Sequence, residues 1–167
     1  MTGHDSELSA AAAHFLAREA DLIDRQRWDE WLALFEPDAV FWMPHRGPEG
    51  EVPDSPEDAI NLLYLESRAA LGIRIQRSTG RDSVANTPLP RTSRVIGSVV
   101  AAARDETTVD VRAAFIVSAT NPARGVQQRC GRYEYILRRD GADFRILRKK
   151  VIALDEVFDG FLDVYLV

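Results

Sequence analysis

The sequence predicts an α+β fold in one domain, residues 1–167, with helices first and an antiparallel sheet after them. Apolar residues recur at helical spacing near the N-terminus and alternate with a period of two from Arg94 onward. The segments between the later strands are short, as between antiparallel neighbours. A chain of 167 residues fits one domain and requires no second.

The first predicted helix begins at a cap on Asp5 or Ser6 and ends near Arg25. Glu19 lies in the middle of its apolar stripe. A carboxylate on an apolar face must be paired, protonated or exposed to a cavity. We therefore expect a structural hydrogen bond or ion pair at Glu19, and a catalytic role is the alternative. The stripe consists of Leu8, Ala12, Phe15, Leu16, Leu22 and Ile23.

The next elements are a short helix, a short strand and a third helix. Apolar residues at i, i+3, i+4 and i+7 predict a helix over residues 28–35, ended by Pro37. Residues 39–43 are predicted to be a buried strand, and the Gly- and Pro-rich segment 44–56 a loop. A third helix is predicted from residue 55 or 56 to about residue 71, and a second loop over 80–90.

Four long strands are predicted over residues 95–103, 109–119, 126–137 and 144–154. Asp140-Gly141 between the last two predicts a two-residue hairpin loop with a type I′ turn. The predicted strands are apolar on both faces. Val95 and Val99 alternate with Ile96 and Val100, and three helices can cover only one face. The other face is expected to contact a neighbouring chain.

The C-terminal segment is rich in large apolar residues, and two interpretations stay open. It folds back over its own core, or it takes part in an oligomer contact. On the second interpretation Phe161 and Tyr165 are interface candidates.

A net charge of −5 disfavours binding to nucleic acid, and none is expected as a partner. One stretch is nevertheless dense in arginine, which is typical either of solvated surface or of a docking face for an acidic protein. Arg91 and Arg94 are the interface candidates within it. The stretch contains Arg68, Arg74, Arg77, Arg81, Arg91 and Arg94.

Cysteine is too scarce for a Rieske cluster in this chain, and the histidines are poorly placed for an iron triad, because His14 has no acidic or histidine partner four residues away on its helical face. Cys130 is the one cysteine and His4, His14 and His45 are the three histidines. A Rieske cluster takes two of each, and a mononuclear iron triad takes two histidines and a carboxylate. No cofactor or metal is expected in this chain. No apolar run reaches about 18 residues and no secretory signal is apparent, so a cytoplasmic location is expected.

Several ordered motifs resemble the small subunits of aromatic-ring-hydroxylating dioxygenases, particularly the benzoate and anthranilate branch. The resemblance extends over nearly the whole chain. Its motifs are Phe15-Leu16-x-Arg18-Glu19-Ala20, Trp28-Asp29-Glu30-Trp31-Leu32, Phe41-Trp42-Met43-Pro44, Leu63-Tyr64, Arg91-Thr92-Ser93-Arg94, Tyr135-Ile136-Leu137-Arg138-Arg139 and Lys149-Lys150-Val151.

This resemblance implies a cone-shaped fold, in which a curved antiparallel sheet wraps around the N-terminal helices, as in relatives of nuclear transport factor and ketosteroid isomerase. It also implies a trimer of small subunits that carries three large subunits in an α3β3 hexamer. The large subunits hold the Rieske [2Fe–2S] cluster and the mononuclear iron, and the complex dihydroxylates an aromatic ring. The resemblance implies no catalytic, cofactor-binding or metal-binding residue in the small subunit.

The same cone also occurs in cofactor-free isomerases and dehydratases, which is the alternative function. Such an enzyme needs a pocket with an acid or base whose pKa is shifted by burial. The candidates for a pocket are Glu19, Asp24, Trp42, His45 and Tyr64, of which Glu19 is the one clearly predicted to face inward.

Overall fold

The computed structural model describes residues 3–80, 88–122, 125–154 and 162–167. Its helices and strands confirm the α+β class. They are α1 (Gly3–Asp24), α2 (Trp28–Leu32), β1 (Phe35–Pro44), β2 (Asn61–Leu65), α3 (Arg68–Thr79), β3 (Arg91–Ala103), β4 (Thr108–Asn121), β5 (Gly125–Asp140) and β6 (Asp143–Ala153).

The six described strands form one sheet in the order β2-β1-β6-β5-β4-β3. The four predicted long strands form its antiparallel meander, and β1 lies parallel to β6. The sheet has an inner face, which packs on α1, and an outer face. In β4 the inner residues from Val109 to Ala119 are buried at every second position, and the outer ones are mostly exposed. This alternation results from the two-residue period of a strand.

The β5–β6 hairpin is tight, as predicted, but its turn differs from the prediction. Asp140 pairs with Asp143, which leaves Gly141 and Ala142 as the two loop residues. Of these two, Gly141 alone has a positive φ, 62°. Glycine at the first loop position with positive φ is the pattern of a type II′ turn, so the predicted type I′ turn at Asp140-Gly141 was wrong.

The second and third predicted helices were partly wrong. Helix α2 ends at Leu32, and Phe35 begins β1 through its pairing with Ile146 of β6. Residues predicted as the first half of the third helix form a 3-10 turn, Pro56–Asp58, and strand β2. Helix α3 begins instead after Ser67, whose hydroxyl accepts a hydrogen bond from the Ala70 amide at 3.0 Å. Pairing with β1 outweighs the helical spacing of a short apolar run.

The core lies between α1 and the inner face. Phe15, Leu16 and Ile23 of α1 are buried, and the Phe15 ring packs edge-on against Phe144 of β6 at 5.8 Å between ring centroids. The hydroxyl of Ser9 accepts a hydrogen bond from the Ala101 amide at 3.0 Å. Helix α1 is thereby attached to both ends of the meander.

The described end of the chain, residues 162–167, folds back on its own core. The last four residues, Val164 to Val167, are buried. Asp163 is fully buried and pairs with Arg74 of α3, Oδ1 to Nε 3.2 Å. It also accepts a hydrogen bond from the hydroxyl of Ser78. Of the two interpretations of this segment, these residues therefore show folding back, while Phe158 and Phe161 lie outside the described residues.

We predict that Gly131→Ala strongly destabilises the fold. Gly131 pairs with Phe115 across β4 and β5, and the Phe115 ring stacks on Tyr133 at 4.1 Å. A Cβ at position 131 would lie 2.8 Å from Phe115 Cε1 and would overlap the carbonyl oxygen of Ile152. Because backbone cannot move aside cheaply, the expected loss is about 3 kcal/mol in the free energy of unfolding by urea. Gly97→Ala is the control, since nothing lies within 4 Å of its added Cβ; equal losses for both variants would contradict the prediction.

The turn between β3 and β4 gives a pH-dependent prediction. The Asp105 carboxylate accepts hydrogen bonds from the amide and hydroxyl groups of Thr107 and Thr108, which hold the pKa of Asp105 well below its ordinary value. Because the pKa of Asp105 is lower in the folded state than in the unfolded state, the ionised carboxylate stabilises the fold at pH values above the unfolded pKa of roughly 4. This stability is lost as the pH falls towards the folded-state pKa. Asp105→Ala should therefore lower the melting temperature at pH 7 but differ less from the wild type at pH 2–3. An equal difference in melting temperature at both pH values would show that ionisation of the Asp105 carboxyl group does not cause the loss of stability.

Candidate functional site

A buried cluster of polar side chains lies beneath the sheet, where α1 crosses β5 and β6. Glu19 Oε1 contacts Lys149 Nζ at 2.7 Å, and both side chains are 1% exposed. Tyr135 donates to Glu19 Oε2 at 2.7 Å, and Trp31 Nε1 donates to Oε1 at 3.2 Å. A hydrogen bond or ion pair was expected at Glu19, and the structure contains both.

Aromatic rings surround the ammonium group of Lys149. Its Nζ lies 4.4 Å from the ring centroid of Tyr133 and 5.3 Å from that of Tyr135. Burial lowers the pKa of Lys149, and the opposite charge of Glu19 raises it again in part. Burial also raises the pKa of Tyr135 well above its ordinary value, and the Glu19 carboxylate raises it further. The tyrosine therefore keeps its proton and donates it in the hydrogen bond to Glu19.

A second ion pair lies at the end of α1, with the Arg94 side chain 1% exposed and that of Asp24 20% exposed. Asp24 at the end of α1 contacts Arg94 of β3, Oδ1 to NH1 2.6 Å. The other carboxylate oxygen accepts from the Arg94 amide at 2.9 Å, and Thr92 donates to Oδ1 at 2.8 Å. Arg94 NH2 also donates to the carbonyl oxygen of Tyr165 at 2.6 Å. Arg94 and Tyr165, predicted as interface candidates, thus lie inside the isolated chain, where they join α1, β3 and the last residues.

Trp42 and Tyr64 lie on the opposite face of the sheet from Glu19. Trp42 pairs with Tyr64 in β2 and with Lys150 in β6, and side chains directly across strands share a face. Trp42 is fully buried, with Lys150 Nζ 4.4 Å and Arg148 Cζ 5.0 Å from its ring centroid, and its Nε1 donates to Asn61 at 2.6 Å. Tyr64 is 38% exposed, and its hydroxyl donates to Glu66 at 3.1 Å.

The pocket suggested for an isomerase is therefore not assembled. Glu19 and Asp24 lie on the inner side and are ion-paired, whereas Trp42 and Tyr64 lie on the outer side. His45 lies in the loop after β1, where its Nδ1 contacts the Arg46 carbonyl oxygen at 2.6 Å. Within the ranges given above, no group of three or more His, Cys, Asp or Glu residues is placed to hold a metal ion. The described helices include none long and apolar enough to span a membrane.

The outer face of the sheet is open over β3, β4 and β5. Residues in register across these strands, together with Leu154 directly after β6, form an apolar row. In it Val95 is 68% exposed, Ile116 52% and Leu154 54%, and Cys130 is half-buried between them. Arg91, at the start of β3, is exposed on the same face. Among the residues that the structure describes, none covers this row, and exposed apolar surface of this kind marks interfaces.

A comparison with protein families decides the classification. The sequence model for the ring hydroxylating beta subunit matches residues 18–159. The chain belongs to this family. It is the small subunit of an aromatic-ring-hydroxylating dioxygenase, an oxidoreductase system whose catalytic role lies in the large subunit.

Similar proteins agree with this classification. The small subunit of 2-halobenzoate 1,2-dioxygenase from Burkholderia cepacia is 33% identical, over 99% of both chains. The crystal structure of the benzoate 1,2-dioxygenase beta subunit from Burkholderia mallei superimposes with a TM-score of 0.75 at 29% identity, over 93% of this chain and 95% of that one. These relatives confirm the predicted benzoate branch.

A more distant structure confirms the predicted cone-shaped fold class. It is an NTF2-like protein with a cystatin-like fold from Novosphingobium aromaticivorans, with a TM-score of 0.62 and 17% identity, over 92% of this chain and 84% of that one. At this identity the likeness concerns the fold alone.

The buried pair in this small subunit gives a prediction. Glu19→Gln leaves the Lys149 ammonium buried without a counter-charge, and losing one member of a buried pair costs about 3–5 kcal/mol in unfolding free energy. Glu19→Gln combined with Lys149→Met removes both charges, and the Gln oxygen still accepts from Tyr135, so most of the loss should return. Urea unfolding at pH 7 measures both variants. A double variant no more stable than the single one would show that the charges do not determine the effect.

Proposed function

We propose that this chain is the metal-free base of its oxygenase, located in the cytoplasm. Three copies form a trimer that carries three large subunits as an α3β3 hexamer. The Rieske [2Fe–2S] cluster and the mononuclear iron belong to the large subunit. The complex dihydroxylates an aromatic ring, and this chain supplies the platform on which the large subunits assemble.

The observation that carries the proposal is the paired polar cluster buried between α1 and the sheet. Beneath the sheet, where a cone-shaped enzyme would hold its substrate, Glu19, Lys149 and Tyr135 satisfy one another at hydrogen-bond distance. Both oxygens of Glu19 are occupied, and the side chain is 1% exposed. Proton transfer to a bound substrate would first require breaking this buried pair, at a cost of several kcal/mol.

The outer face supports the platform role. Burial of apolar surface contributes about 25 cal/mol per Å², so the open row of Val95, Ile116 and Leu154 can stabilise a subunit contact. The helices pack on the other side of the sheet, and the described part of the chain leaves this row uncovered.

Co-expression with the cognate large subunit tests the proposal. We expect a complex of hexamer mass in which all iron follows the large subunit, so that the separated small subunit contains none. Ile116→Asp should sharply lower the yield of this complex, since it places a charge in the apolar row. Ile73→Asp on α3 is the matched control, because both isoleucines are 52% exposed. Iron bound to the small subunit alone, or no complex with the large subunit, would contradict the proposed function.

A further inference from the structure

Trp31 is the side chain that helix α2 buries in the core. It is 1% exposed, and its Nε1 donates to Glu19 Oε1 at 3.2 Å. Its ring packs edge-on against that of Phe35, with 4.9 Å between the ring centroids. Ligand sites hold small aromatic molecules in the same manner, with an apolar lining and a few polar groups that fix the orientation. The indole group of Trp31 is therefore held like a bound molecule.

The acceptor of this hydrogen bond is held in place by groups other than Trp31. Lys149 Nζ donates to Glu19 Oε1 at 2.7 Å, and the Tyr135 hydroxyl donates to Oε2 at 2.7 Å. A carboxylate offers about four lone-pair positions, so Oε1 can accept from Lys149 and from Trp31 together. If the indole group is removed, Glu19 keeps both other partners, and the position that faced Trp31 can accept a hydrogen bond again.

The backbone on both sides of Trp31 is anchored without the help of its side chain. After it, the carbonyl oxygen of Leu34 accepts from the Ile146 amide of β6 at 2.8 Å. Before it, the ring of Trp28 packs against that of Tyr165, with 6.1 Å between the centroids. Large-to-small substitutions in a core leave a cavity, because the surrounding structure relaxes only partially. Truncation of Trp31 should therefore leave an enclosed space that fits an indole ring.

We propose that the space filled by Trp31 is a binding site for a flat aromatic molecule with an N–H donor. The chain closes this site with its own side chain. The donor is required because a buried acceptor that loses its partner costs free energy. The flat apolar ring is required because the space is enclosed and Phe35 forms part of its wall. Indole is a simple molecule that meets both requirements. The inference goes beyond the proposed function, because it concerns the inside of the chain and needs no partner subunit.

Removing the Trp31 side chain tests this inference. In the purified full chain, Trp31→Gly takes away the whole indole group and should lower the melting temperature, since the core loses buried apolar surface. Added indole should bind the variant and raise its melting temperature, because it refills the space and donates to Glu19 again. The wild type should neither bind indole nor gain stability from it, because Trp31 occupies the site. Isothermal titration calorimetry measures the binding, and thermal unfolding measures the stability.

Matched controls separate a built site from non-specific binding. Benzofuran has the same fused rings as indole with an oxygen in place of the N–H group. It should bind Trp31→Gly roughly tenfold more weakly or worse, because it cannot donate to the Glu19 carboxylate. Trp28→Gly removes the same side chain from the same helix, where the ring is only partly buried. Indole should leave the melting temperature of this second variant unchanged.

If Trp31→Gly does not fold alone, it is refolded from urea with indole or with benzofuran, and indole should give the larger yield of soluble chain. A variant that indole neither binds nor helps to refold would overturn the inference. Equal effects of indole and benzofuran on Trp31→Gly, or of indole on both variants, would also overturn it. Each of these results leaves the proposed function intact, because complex formation with the large subunit, and not indole binding, tests that function.

Discussion

The ion pair between Glu19 and Lys149 is the constraint on which the arrangement of helix and sheet depends. Two opposite charges that are 1% exposed must face each other, because either one alone in the interior would cost several kcal/mol. Glu19 belongs to α1 and Lys149 to β6, so the pair fixes both the rotation and the axial position of α1 on the sheet. Tyr135 and Trp31 attach β5 and α2 to the same carboxylate. Asp24 and Arg94 fix the far end of α1 in the same way.

This constraint is the reason why the proposed contacts lie on the outside of the chain. A cone-shaped fold can enclose a ligand between its helices and its sheet, but here that space contains ion pairs and tyrosine rings. The outer face has the open apolar row of Val95, Ile116 and Leu154. Lys150, adjacent to Lys149 in β6, points to this face, where it lies over Trp42 and donates to the carbonyl oxygen of Pro53 in the segment between β1 and β2. One strand thus contributes to the closed interior and to the open surface.

Much of the fold could be predicted from the sequence, because apolar residues recur with a period of two in the long strands and because the β5–β6 hairpin loop contains a glycine. Glu19 could be recognised because a carboxylate in an apolar stripe needs a partner. Its partner was missed, although the signal was present. Two consecutive lysines in a strand point to opposite faces, so one of Lys149 and Lys150 had to face inward. Strand β2 was mistaken for helix because five residues carry too little periodicity, and its pairing with β1 is a tertiary contact. Arg94 was expected at an interface because nothing local indicated that Asp24, 70 residues away, would bind it.

A crystal structure of the assembled dioxygenase with an aromatic substrate bound tests most directly whether the interior of this chain stays closed. We expect substrate density in the large subunit only, with Glu19 and Lys149 of this chain still in hydrogen-bond contact. Substrate density beneath the sheet of this chain, with that pair broken and Tyr135 turned towards the ligand, would contradict it.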